Sequence, residues 1–306
     1  MGDSVKPTRK FKLSTAIRWG GTLVSSALFI WLISRQQWGV VFKQAAGITH
    51  WVFGLALGMY IVSYGFNTLR WCILLWAQDV RFGYWRAFRI TWAGNFASNF
   101  LPSTIGGDGF RMLSIYPYTH SKTLAIGSVV LDRIINMAAM ACLIPVSVSM
   151  FGEKVLTSFA MALPLHPKSL VERFFPKIVS AFKTWSSHPM AFIWSFLATW
   201  PSILIPILTT YIIARQLGIN VSYLQVVGIQ TVTYFLSILP ISVNGYGLRE
   251  MAYITLYTAL GASLTQASTL ALVTRLLTIL TTLPGGLWLT STVTNTISPD
   301  NLSESR

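Results

Sequence analysis

Seven ionisable side chains lie within or beside stretches too apolar to hold them without a reason: Asp108, Arg111, Asp132, Arg133, Arg249, Glu250 and Arg275. A charge at membrane depth is costly, so such residues line a path for an ion or a polar group, or they neutralise one another. Four are cationic and three anionic. Gathered around one cavity they leave a single positive charge, which suits an anionic lipid head group. Asp132 and Asn136 are four residues apart and share a helix face, whereas Arg133 points about 100° away and is expected to meet a different neighbour. Plain interhelical ion pairs, Asp132 with Arg275 or Glu250 with Arg133, are the competing use of these charges. Arg70, which interrupts another apolar stretch, is expected to snorkel to an interface.

Two of the arginines close a spacing that occurs twice. Leu101, Pro102, Gly107, Gly109 and Arg111 match Leu239, Pro240, Gly245, Gly247 and Arg249, each pair 138 residues apart. Gln78 and Gln216, and Phe96 and Tyr234, keep the same offset, while Arg133 and Arg275 lie 142 apart. Loops between membrane helices are commonly rich in Pro and Gly, but that does not account for the shared spacing and the shared arginine. An internal duplication does. Irregular backbone at membrane depth survives only where protein buries it or where it lines a wet cavity. Short, Pro/Gly-broken segments at corresponding places of two halves point to a transport site. Pro102 and Pro240 are expected to end the incoming helices. The glycines are expected to turn the backbone, with a new helix starting just beyond them. Each arginine then falls in a first turn, where a cation opposes the helix dipole, so it is expected to serve a phosphate, a carboxylate or a carbonyl end.

These elements need a membrane. Hydrophobic residues make up 53% of the 306 and charged residues 10%, against about 25% charged in soluble domains. The expected class is an all-α polytopic membrane protein of about seven helical segments plus re-entrant or broken helices. Apolar stretches over 18–34, 49–77, 121–150, 190–214 and 264–292 are expected to span. Regions 84–118 and 221–260 are too broken to hold two comfortable spans each. The expected organisation is one membrane domain: a first repeat over about 49–150, an amphipathic surface connector over about 151–188, and a second repeat over about 190–292. Residues 293–306 are expected to form a flexible tail. Lys6, Arg9, Lys10, Lys12 and Arg18 before the first apolar run place the N-terminus in the cytoplasm. The run itself lacks a small-residue cleavage site and is read as an uncleaved anchor.

The net charge is +14, but no soluble basic segment exists to carry nucleic acid. Cys72 and Cys142 lie in apolar runs, and His50, His120, His166 and His188 are scattered without ligand spacing, so no metal or disulfide framework is expected. The stretch "GGDGF" is like part of a phosphate-binding loop but lacks the following Lys-Ser/Thr. No nucleophile elbow or paired acidic motif occurs, so no catalytic residue, cofactor or enzymatic activity is expected. Two alternatives remain open. One is an integral membrane enzyme acting on polyprenyl-linked sugars through Asp108, Asp132 and a metal. The other is a non-transporting membrane partner of a lipid-modifying enzyme.

Taken together, "NFASNFLPSTIGGDGFRM", "SVVLDRIINM", "LPISVNGYGLRE" and the later Arg275 resemble the lysylphosphatidylglycerol synthase transmembrane-region family, also called flippase-like domain proteins, over about residues 15–292. The resemblance implies a multi-pass domain of the inner (plasma) membrane that moves lipids between leaflets. Bifunctional members carry a soluble aminoacyl-transferase domain after it. The few residues beyond 292 leave no room for one here, so synthase activity is not expected. The expected function is flippase- or scramblase-like translocation of an anionic phospholipid or a polyprenyl-phosphate-type lipid. Membrane lipids and a lipid-synthesising enzyme are the expected partners. Gly106 and Asp108 face Asn244 and Tyr246 in the second copy, so the two halves need not bind the same group.

Overall fold

A computed structural model of the chain describes residues 38–100, 104–119, 121–152, 185, 187–238 and 247–289. Among these, every regular element is a helix. In chain order they are α1 (Trp38–Ala46), α2 (His50–Trp76), α3 (Tyr84–Phe100), α4 (Thr104–Thr119), α5 (Lys122–Ala141), α6 (Ile144–Phe151), α7 (Pro189–Gln216), α8 (Tyr223–Ile238), α9 (Leu248–Ala259) and α10 (Leu264–Thr282). Four stretches are long and apolar enough to cross a bilayer: His50–Trp76, Lys122–Phe151, Pro189–Gln216 and Leu264–Leu289. The chain is an all-α polytopic membrane protein.

Local chemistry explains where the helices begin. Ser222 and Gln225 start α8 with a reciprocal cap: the Gln225 amide donates to Ser222 Oγ (3.3 Å) and the Ser222 amide donates to Gln225 Oε1 (2.7 Å). Ser263 and Gln266 repeat it at the start of α10, at 3.2 and 3.0 Å. At α5, Ser121 Oγ accepts from the Leu124 amide. Helix α2, with 27 residues, is about 40 Å long. Helices α3, α4, α8 and α9 have 17, 16, 16 and 12 residues. At 1.5 Å per residue all four fall short of the roughly 30 Å hydrocarbon core, as their broken sequences imply.

The element order from α2 to α5 resembles that from α7 to α10: a long span, two shorter helices, then another span. Among the described residues, the two long leading helices, α2 and α7, share the most extensive contact. A large apolar core joins α2, α7, α8, α9 and α10 through Tyr60, Ile207, Ile213, Ile229, Tyr257 and Leu277. A smaller one joins the end of α2 to α3, α4 and α5 through Trp71, Leu75, Ile90, Ile115 and Val129.

The first glycine motif does not turn the chain as its spacing suggests. Helix α4 already begins at Thr104, so Gly107 and Gly109 lie inside it and Arg111 sits in its second turn. Gly107 instead lets two helices touch. A Cβ there would collide with Ser98 Oγ and with the Gly94 carbonyl of α3, the close approach that small residues allow between membrane helices. In the second motif only the closing residues are described, and they follow the expectation. Gly247 has φ 81°, caps α9 and leaves Arg249 in the first turn. Pro102, Pro240 and Gly245 lie outside the described residues, as do the expected span over 18–34, almost all of the connector over 151–188 and the tail.

Candidate functional site

Asp132 of α5 is the hub of a buried polar network. Its Oδ1 accepts from Arg70 Nε at 2.6 Å, and its Oδ2 accepts from Arg111 Nη1 at 3.0 Å. Arg70 also donates through Nη1 to Asn136 Oδ1 and through Nη2 to Asn67 Oδ1, both at 2.8 Å. Asn136 Nδ2 passes the chain on to the Tyr234 hydroxyl of α8 at 2.9 Å. Side chains from α2, α4, α5 and α8 are thus held in one array. Arg70 is 4% exposed, Arg111 6% and Asp132 1%. At that depth each charge needs a partner, which explains the short, charge-assisted geometry.

Two sequence expectations are corrected here. Arg70 does not snorkel; it finds the Asp132 carboxylate and two amide oxygens, a better environment than a distant interface. Nor does Asp132 pair with Arg275, or Glu250 with Arg133. Arg133 bonds Asp108 Oδ2 at 2.8 Å, and Arg275 lies 3.8 Å from Glu250 Oε1. Each carboxylate meets the arginine that helix packing brings closest. The shared face of Asp132 and Asn136 holds, since both grip Arg70, and Arg133 does turn to a different partner.

The network walls a cavity of about 160 Å³. Arg70, Arg111, Arg133, Asp108 and Asp132 supply its charges. Asn67, Asn95, Ser98 and Asn136 supply neutral polar groups, and Gly94 and Gly107 complete the wall. The Asp108–Arg133 pair is its wettest part: those side chains are 20% and 50% exposed. Arg111 is the unusual member. Its guanidinium lies over the Trp71 ring, 4.3 Å from the centroid. Among the described residues its Nε and Nη2 have no hydrogen-bond partner. They form one edge of the guanidinium, the edge that grips a carboxylate or phosphate with two parallel bonds.

Seven charges around one cavity is therefore not what the fold builds. Arg249, Glu250 and Arg275 line a second cavity with Tyr253, Ala271 and Thr274, and the two share no lining residue. Glu250 Oε2 accepts from the Gly247 amide at 2.8 Å, placing an anion at the N-terminus of α9 and offsetting the unfavourable Arg249 beside it. Arg249 packs over the Tyr253 ring at 5.8 Å. This second cavity measures about 10 Å³, roughly the room one water needs. The charges divide because each glycine motif lies near its own following span, α5 or α10.

Residues 18–285 match the family described as lysylphosphatidylglycerol synthase TM region. The chain belongs to that family. The match runs through both glycine motifs and both of the spans that follow them. No curated protein and no solved structure matches the chain.

Sequence reasoning missed Arg70, Asn67, Asn95 and Ser98 as cavity residues, and it used Tyr234 only as a mark of the repeat. Arg70 carried a usable signal. It is the one Lys, Arg, Asp or Glu in the 27 residues of α2, and an ionisable group in such a setting calls for a counter-charge. Asn95 and Ser98 carried none, because polar residues are common along α3.

Proposed function

We propose that this chain moves a lipid with an anionic, phosphate-bearing head group between leaflets, and that its two similarly ordered halves arose by duplication. The observation that carries this reading is the polar cavity of about 160 Å³ inside a chain whose spans are apolar. A cavity lined by five charged side chains is expensive to keep within a bilayer unless a polar ligand uses it. The head group would enter beside the Asp108–Arg133 pair and meet Arg111, while the acyl chains stay in the membrane. Family membership supports the reading, because the matched region is the membrane part of a lipid-modifying protein. The cavity beside Arg249 is far smaller, so Arg249 serves here as a support of the second half and not as an equal binding group.

The test is a dithionite-quench assay with fluorescent anionic lipid in liposomes containing the purified full chain. The wild-type protein should expose inner-leaflet lipid faster than protein-free vesicles. Arg111→Ala should slow that step at least about tenfold, the effect of losing about 1.4 kcal/mol of binding, and Arg249→Ala should slow it less. A wild-type rate equal to that of empty liposomes would overturn the reading and favour a non-transporting partner of a lipid-modifying enzyme.

A further inference from the structure

We infer that the Arg111 cavity selects a singly charged phosphodiester over a phosphate monoester or a diphosphate. The inference rests on the cavity being a head-group site and adds which head group it admits. Three arginines, Arg70, Arg111 and Arg133, face two aspartates, Asp108 and Asp132, so the wall carries one surplus positive charge. Every carboxylate in that wall is already matched. Asp132 holds two arginines and Asp108 holds Arg133. The surplus therefore falls on Arg111 and Arg70, which share a single counter-charge.

Of those two, Arg70 has all three nitrogens engaged, by Asp132, Asn136 and Asn67. Arg111 spends one nitrogen on Asp132 and, among the described residues, leaves Nε and Nη2 without a partner although it is more than nine-tenths buried. A buried donor edge of that kind matches the two non-bridging oxygens of a phosphodiester, one bond to each. One negative charge neutralises the cavity. A second, on a monoester or a diphosphate, would sit beside Asp132 and Asp108 with no cation to meet it. Next to the buried Asp132 carboxylate that is unfavourable. The second cavity offers no alternative, since about 10 Å³ admits a water and not a phosphate.

The experiment is equilibrium binding to the detergent-solubilised full chain, read by native mass spectrometry at pH 7. The probes are dihexanoyl phosphatidylglycerol (a diester), dihexanoyl phosphatidate (a monoester), farnesyl diphosphate and the soluble diester glycerophosphoglycerol. The diester lipid should bind at least tenfold more tightly than phosphatidate or the diphosphate. Asp108→Asn, which adds one unit of positive charge to the cavity, should narrow that preference. Arg111→Gln should weaken diester binding at least tenfold, while Arg215→Gln, the same charge change on an exposed side chain, should leave it unaltered. Equal or tighter binding of phosphatidate or farnesyl diphosphate to the wild-type chain would overturn the inference, whether or not any variant folds. Glycerophosphoglycerol binding as tightly as the lipid would overturn the assignment to a lipid. Diester-selective binding without movement between leaflets would defeat the transport reading and leave this one standing; movement without diester preference would do the reverse.

Discussion

Replacing Asp132 with alanine tests the hub directly. The substitution removes an acceptor shared by two arginines, one 4% and the other 6% exposed. Arg70 would retain Asn67 and Asn136 at 2.8 Å each. Among the described residues, Arg111 would retain the Trp71 face. Removing one partner of a buried ion pair costs about 3–5 kcal/mol. Here one carboxylate serves two cations, so the upper end, about 5 kcal/mol, is expected. Removing all three charges together, as Arg70→Met, Arg111→Met and Asp132→Leu, should recover most of that loss and lie within about 2 kcal/mol of wild type, because no buried charge is then left unpaired. The assay is unfolding of the detergent-solubilised chain by denaturant, followed by tryptophan fluorescence. Asp132→Ala within about 1 kcal/mol of wild type, or a triple variant no more stable than the single one, would refute the reasoning. The first result would mean that water in the cavity serves the arginines; the second would mean that the loss does not come from buried charge left unpaired.

Three further outcomes follow from the packing. Gly107→Ala should destabilise by about 1–3 kcal/mol, since the new methyl meets the Gly94 backbone and Ser98. Gly109→Ala, with open space around it inside the same helix, should instead stabilise by about 0.5–1 kcal/mol; thermal unfolding of the pair checks the contrast. Gly247→Ala should cost about 1–3 kcal/mol, because φ 81° with ψ −51° lies outside the regions open to a residue with a side chain; the shift in melting temperature measures it. Tyr234→Phe removes the hydroxyl that accepts from Asn136 and should cost about 0.5–1.5 kcal/mol, with no further loss when Asn136→Ala is already present; a double-mutant cycle of unfolding free energies measures this.

Much of the fold was legible along the chain. The spans expected over 49–77, 121–150 and 190–214 match His50–Trp76, Lys122–Phe151 and Pro189–Gln216 closely, and 264–292 matches Leu264–Leu289. Apolar length is a local property, and a helix satisfies its own backbone through bonds four residues apart, so neither needs knowledge of a neighbour. For the same reason the common face of Asp132 and Asn136 could be read from their spacing.

Tertiary structure decided the rest. Which arginine meets which carboxylate depends on how helices cross and rotate, and residues as far apart as Arg70 and Asp132 carry no mark of it. Arg70 therefore looked like a snorkelling residue and proved to be a wall of the cavity. The spacing around Gly107 and Gly109 signalled glycines that turn the backbone, yet Gly107 is needed for the contact with α3, which only the packed pair reveals. The sequence by itself determined an all-helical membrane chain with charges that had to be satisfied. Packing determined that they divide between two separate clusters, and that among the described residues one donor edge of Arg111 is left without a partner, because burial sets the cost of an unpaired charge and burial exists only once the helices have come together.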